Sequence, residues 1–259
     1  AQGNNSNPSQ YTLFMTLKEG LGEMVDRLIE KSPRITFRTG ARLNKLSRQD
    51  DKWKLDLDGD ETLEADGVIL ASPANISACL LEPSAKKIAD LLNRIKYVST
   101  AAVTFAYKKE GFSHSLDGFG FVVPRAENRK IMACTWTSSK FPHRVPEGHV
   151  MLRCFVGGAL QEELAEQDEA SLEEMVKNEL REMMGISETP VFARVFKNEK
   201  ANVQYQVGHG SLIDQVNGEL ASMPGMFLSG SAYTGIGIPD CILNGARAAE
   251  SALQYLTNP

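Results

Sequence analysis

The chain has 259 residues, enough for one large domain or two small ones at about 150 residues each. Hydrophobic residues make up 42% and charged residues 24%, a globular balance that excludes collagen-like, mucin-like and disordered chains. The net charge of −5 argues against a nucleic-acid binder held by phosphate contacts, and no run approaches the roughly 18 apolar residues that span a bilayer. Cys79, Cys134, Cys154 and Cys241 form no CxxC pair and have no histidine at ligand spacing. They read as free thiols, with neither a disulfide framework nor a metal site expected. No basic region followed by an apolar core opens the sequence, so no secretory leader is expected.

Residues 1–10 are polar and turn-rich, and residues 1–16 read as a flexible lead or linker. Leu21, Met24, Val25, Leu28 and Ile29 recur at helical spacing after Gly20, and Pro33 ends that helix. The period then changes to two. Ile35 and Phe37 alternate with polar neighbours, as do Trp53, Leu55 and Leu57, and Asp58-Gly59-Asp60 marks a hairpin turn. The run at 67–74, GVILASPA, is continuously apolar, like a buried strand of parallel type, and its Ser-Pro forbids helix locally. A helix is expected over 84–95, presenting Ile88, Leu91, Leu92 and Ile95. Strands are expected at 97–107, 118–123, 130–136 and 149–156. An acidic amphipathic helix covers 160–184 and breaks near Gln167–Asp168, where Asp168 or Ser171 caps the second piece. A strand at 190–197 follows. The acidic stretch 162–182 reads as a solvated face. No internal repeat is present.

The tail carries the sharpest chemistry. Met226–Gly230 is an apolar strand ending in glycine. A connection rich in glycine follows, with Gly230, Gly235 and Gly237, and Pro239 suits a first helical turn. Ile242, Ala246, Ala249, Leu253 and Leu256 form the stripe that the last helix is expected to bury. The first amides of a helix lack intrahelical partners and carry the positive end of its dipole, and glycines let a flat or anionic ligand approach the backbone. The same glycines could serve only a tight strand–helix turn. They are not the GxGxxG fingerprint, because Gly235-Ile236-Gly237 runs into Pro239 and Asp240. His114, His143, His149 and His209 are scattered and read as structural or surface residues, and no catalytic side chain is singled out.

The tail GMFLSGSAYTGIGIPDCILNGARAAESAL resembles the closing motif of the protoporphyrinogen oxidases, within the flavin-containing amine oxidase superfamily. LKEGLGEMVDRL, the stretch from Arg38 to Ala74, the stretch from Asp117 to Gly158, and QYQVGH at 204–209 are similar to other family segments in the same order. The resemblance covers about residues 11–256. Family members begin with a βαβ unit bearing GxGxxG, which this sequence lacks, so the chain resembles the C-terminal part of such an enzyme. Asn198 and Val203 stand where the family often has Trp and Pro.

The resemblance implies an α/β fold with an α+β insertion. An incomplete FAD-binding domain is expected from 17–80 and 222–259, and a substrate domain with a mixed or antiparallel sheet and flanking helices from 81–221. It implies FAD in the parent protein, with Leu43 on the adenine side, Ala71 at a strand end near the cofactor, and Ile236, Gly237 and Ile238 bringing backbone to the flavin. The helix after Pro239 would aim its dipole at the flavin edge that gains negative charge on reduction. Phe119, Gly120, Phe121 and Thr135 are expected to wall a tetrapyrrole pocket. The implied activity is oxidation of protoporphyrinogen IX or coproporphyrinogen III with oxygen as acceptor, in heme biosynthesis. The alternatives are another amine oxidase or desaturase reaction, and a catalytically silent binding module. The chain alone is expected to be inactive and to bind FAD weakly. A porphyrinogen is the expected partner, nucleic acid is not, and the parent is expected in the cytoplasm with peripheral contact to the cell membrane.

Overall fold

A computed structural model describes residues 14–257. The expected lead at 1–16 therefore lies almost wholly outside the described residues. Two compact units emerge. One combines the described residues up to Phe37 with Ser99–Glu199, and the other combines Arg38–Val98 with the chain from Lys200 onward. The expected boundaries near 17, 80 and 222 differ from these, because residues 17–37 pack into the first unit and residues 81–98 and 200–221 into the second.

In chain order the elements are α1 (Gly22–Glu30), β1 (Leu43–Gln49), β2 (Lys52–Leu57), β3 (Thr62–Ala65), β4 (Val68–Leu70), α2 (Ala74–Leu81), α3 (Lys86–Leu92), β5 (Lys96–Lys108), β6 (Gly120–Val122), β7 (Ile131–Trp136), α4 (Thr137–Lys140), β8 (His149–Gly157), α5 (Glu162–Ala165), α6 (Glu169–Met184), β9 (Phe192–Gln204), α7 (His209–Leu220), β10 (Met226–Leu228) and α8 (Ile238–Thr257).

The first unit is organised by a five-stranded sheet of order β6-β7-β8-β5-β9. The β6–β7, β7–β8 and β8–β5 pairs are antiparallel. Alternation along each strand turns one set of side chains to each face. Ala101, Val103, Phe105 and Tyr107 of β5 share a core with Leu152, Cys154 and Val156 of β8 and with Leu172, Val176 and Leu180 of α6. Burying each of the larger aliphatic side chains contributes about 1.5–3 kcal/mol. The helix break falls where expected. Asp168 accepts hydrogen bonds from the Ser171 hydroxyl at 2.7 Å and from Ser171 N–H at 2.9 Å; the hydroxyl bond first and then the amide bond hold its carboxyl below the ordinary pKa, and the amide bond caps α6.

The second unit holds the β1-β2-β3 meander and a two-stranded parallel sheet of β10 and β4. The hairpin turn at Asp58–Asp60 forms, with Gly59 at φ 77° and Asp60 at φ 60°. The apolar run 67–74 does make a parallel strand, but a short one, buried through Val68 and Leu70 and open at Ile69. Ile35 and Phe37 lie outside any strand. Three helices escape the periodicity reading, the four-residue α4 among them. α2 starts at the residue after Pro73, which can precede a helix even though it restricts Ser72 before it. α7 begins directly after Gly208, at φ 88°.

The last helix corrects an expectation. Ile242, Ala246, Ala249, Leu253 and Leu256 are all exposed. The residues turned inward are Cys241, Asn244, Ala248, Ala252 and Tyr255, a face centred about 120° around the axis from the expected stripe. α8 is apolar on two faces, and the small Ala248 and Ala252 lie on the inward one. A helix apolar on two sides is the kind that a larger core buries all round. α1 is similar, with Leu21, Val25, Leu28 and Ile29 exposed and no buried residue.

Candidate functional site

In open α/β sheets ligands gather beyond the carboxyl ends of parallel strands. Here β4 and β10 run parallel, and the ladder extends to Ser229 N–H on Leu70 C=O at 3.0 Å. Ala71 leaves the end of β4 exposed, and a Cβ on Gly230 would lie 3.8 Å from its carbonyl. Ala71 and the glycine connection are therefore neighbours. Ser72 and Ser77 hydroxyls hydrogen-bond at 2.9 Å, and the Ala74 amide at the start of α2 donates to the Tyr97 hydroxyl at 2.8 Å.

The connection from Gly230 to α8 is held by the QYQVGH segment. The Tyr205 hydroxyl donates to Ser231 C=O and accepts from Gly235 N–H, each at 2.7 Å. The His209 ring stacks on Tyr205 with centroids 3.9 Å apart and planes 11° from parallel, and its Nε2 lies 3.2 Å from Tyr233 C=O. Tyr233 is buried, and burial pushes its phenol up to about 12. His209 thus has a structural part, in keeping with the sequence reading, but at the mouth of the candidate site. Tyr205 carries no role in the sequence reading. The QYQVGH motif was its signal, although spacing could not show that its hydroxyl would meet residue 235.

Two amides of the glycine turn are already used. Gly235 N–H goes to Tyr205, and Gly237 N–H goes to Asp240 Oδ2 at 3.2 Å. Gly235, at φ 111°, must be glycine, since a Cβ would fall 2.5 Å from Asp240 Cγ. The neighbouring Ile236 and Ile238 amides have no acceptor among the described residues. Their side chains are 65% and 45% exposed. The backbone therefore presents two free donors, beside the positive end of a 20-residue helix. That arrangement suits an electron-rich ligand edge.

The remaining expected residues are dispersed. Leu43 begins β1, pairs with Leu57 at a register shift, and lies half-buried against the core of the second unit. In the first unit Gly120 and Thr135 are register partners on the sheet face opposite α6. Gly120 has no room for a side chain, because a Cβ would meet Cys134 O at 2.1 Å. Phe121 pairs with Cys134 and packs against the core beneath the sheet, so its ring turns away from Thr135. Phe119 is 45% exposed and meets Phe14 edge-on, with centroids 4.8 Å apart. All four cysteines are free, and Cys134 and Cys154 are buried register partners. Burial and a hydrogen bond to Cys134 raise the Cys154 thiol pKa, the hydrogen bond contributing most. Among the described residues no three His, Cys, Asp or Glu gather at metal-binding distance, and no helix is long and apolar enough to cross a membrane.

The profile of the flavin containing amine oxidoreductases matches residues 4–253. The chain belongs to that family. Over 245 residues, 94% of its length, it is 35% identical to coproporphyrinogen III oxidase of Bacillus subtilis (strain 168), of which it covers 52%. Over 195 residues, 71% of its length, it is 29% identical to chloroplastic protoporphyrinogen oxidase 1 of Arabidopsis thaliana, covering 36% of that protein. Among solved structures, a candidate protoporphyrinogen oxidase from Exiguobacterium sp. 255-15 superposes with a TM-score of 0.84 at 32% identity, over 92% of this chain and 52% of that one. Reduced UDP-galactopyranose mutase, at TM-score 0.71 and 17% identity, shares the fold. The chain spans about half the length of the bacterial relatives it matches. This family membership, with its flavin, agrees with the resemblance read from the tail.

Proposed function

We propose that this chain is the part of an FAD-dependent porphyrinogen oxidase that contacts the flavin edge and the substrate. In this reading the second unit belongs to the FAD-binding domain and the first to the substrate domain. The carrying observation is the pair of free amides at Ile236 and Ile238 beside the N-terminus of α8. Relatives named as coproporphyrinogen III and protoporphyrinogen oxidases support the substrate class. FAD, held against this turn, would supply the two-electron oxidising chemistry that a porphyrinogen needs, with oxygen as final acceptor. The chain's own residues supply orientation and a fixed electrostatic field. The Tyr205–His209 pair holds the amide-bearing turn, α8 directs its positive end, and the sheet face with Gly120 and Thr135 offers a flat wall.

In the parent we place the rest of the polypeptide over the exposed stripe of α8 and the open face of β4. The exposed Ile69, Ile242 and Leu253 and the half-length match support that placement. The chain alone then lacks most of the cofactor's binding energy and is expected to hold FAD weakly.

The test is an assay of the full-length protein containing this chain with coproporphyrinogen III and protoporphyrinogen IX under air. Porphyrin fluorescence is expected to rise well above autoxidation with one of them. A rate equal to autoxidation for both overturns the reading.

A further inference from the structure

The first unit's sheet has a second face, opposite the one that packs on α6. Strand alternation puts Gly120 and Val122 of β6 there, with Ala133 and Thr135 of β7, Met151, Arg153 and Phe155 of β8, and Ala102 and Thr104 of β5. On β9, Ala193 and Val195 pack on the α6 side, which leaves Phe192, Arg194 and Phe196 on the open side. The surface is flat and built from small and apolar side chains. Val122 is 79% exposed, Phe196 51% and Phe192 49%.

Arg153 and Arg194 stand on this face, strand alternation adds the exposed Lys108 at the end of β5, and none of the residues named above is an acid. Arg153 is exposed near the middle of the sheet. Its Nε donates to Thr104 Oγ1 at 3.3 Å, which steers the guanidinium, and no carboxylate lies within ion-pair distance among the described residues. Its two terminal nitrogens are left without partners. Arg194, on the strand two places away, has its guanidinium 5.5 Å from the Phe196 ring centroid and likewise no ion pair among the described residues. A positive pair on an apolar face is unusual in a chain of net charge −5. An arginine whose Nε is fixed and whose fork is open is built to take a carboxylate with two parallel hydrogen bonds.

Resting on the porphyrinogen reading, we propose that Arg153 binds a propionate carboxylate of the tetrapyrrole lying on this face. Arg194 adds a second attractive charge for another carboxylate. Coproporphyrinogen III carries four propionates and protoporphyrinogen IX two. A face whose named residues include several cations and no acid therefore favours the tetracarboxylate, and Arg153 is the residue that sets that preference.

The experiment uses the full-length protein containing this chain and the fluorescent porphyrins, coproporphyrin III and protoporphyrin IX, in the same nonionic detergent. Binding is read by fluorescence quenching and Soret shift, without turnover. The wild type is expected to bind coproporphyrin III more tightly, with affinity falling as salt rises. Arg153→Gln should weaken coproporphyrin III binding roughly tenfold, as loss of a charge-assisted forked contact implies, and protoporphyrin IX binding by less. Arg153→Lys, which keeps the charge and the stem but not the fork, should fall between, and it serves if the Gln variant proves misfolded by circular dichroism. An unchanged affinity and preference in folded Arg153→Gln, with the wild type still binding porphyrin, overturns the role of Arg153 alone. Failure of the wild type to bind either porphyrin overturns the substrate reading and this inference together.

Discussion

Replacing Tyr205 by Phe tests whether the QYQVGH segment holds the amide-bearing turn. The substitution keeps the ring that stacks on His209 and removes only the hydroxyl, which accepts from Gly235 N–H and donates to Ser231 C=O at 2.7 Å each. Two backbone groups then lose their partner. A buried polar group left unpaired costs about 1–3 kcal/mol. Tyr205 is 42% exposed, so water replaces part of what is lost, and the sum should fall near the bottom of that range, about 1–2 kcal/mol. The loss should be local, because Tyr233 and β10 stay packed in the core. Amide hydrogen exchange at Gly235 reads it directly. Its protection should drop about tenfold for each 1.4 kcal/mol, while amides in α7 and β4 keep theirs. Tyr205→Ala should go further, since it also removes a ring stack worth about 0.5–1.5 kcal/mol. If Gly235 already exchanges as fast in the wild type as in Tyr205→Phe, the hydroxyl does not hold the turn and the reasoning fails.

Gly120→Ala forces a Cβ to 2.1 Å from Cys134 O at φ 131°, so the β6–β7 pairing must open. A loss of about 2–4 kcal/mol is expected in urea unfolding, and an unchanged midpoint would show that the strand moves aside freely. Burial keeps Tyr233 neutral in the fold up to about 12, while an unfolded tyrosine ionises at its ordinary value of about 10. Its stabilising contribution is therefore complete below pH 10 and is lost as pH rises from there toward 12. The variant Tyr233→Phe should flatten that alkaline slope in pH-dependent melting curves. The thiols should separate by burial. Exposed Cys79 reacts with a thiol reagent in the native state, whereas Cys134 and Cys154 react only after denaturation. Equal native rates for all four would contradict the packing described for β7 and β8.

Much of the architecture was legible in the chain. Alternation at 97–107 and 149–156, the DGD turn and the break before Asp168 all depend on neighbours within a few residues, which is where period and capping act. The glycine turn before α8 was legible for the same reason, since Gly235 has no alternative once Asp240 folds back against it. The four residues proposed as a tetrapyrrole wall were only partly separable. They form a short consecutive group and one partner across a hairpin, and register alone decided that Gly120 and Thr135 share a face while Phe121 turns into the core. The helices α2 and α7 were missed because each is short and begins at a proline or glycine junction, where local signals favour a stop.

What the amino-acid sequence determined by itself was the identity of most elements, the turn that exposes two amides, and the family to which they belong. Tertiary structure decided which side of α8 packs inward, where the two units divide, that Tyr205 reaches residue 235, and that Arg153 stands unpaired on an open sheet face. The reason is physical. Helical or strand period is set by backbone geometry over neighbouring residues, whereas burial and pairing are set by whatever surface arrives from far along the chain. α8 has two apolar faces, so its period alone could not choose between them.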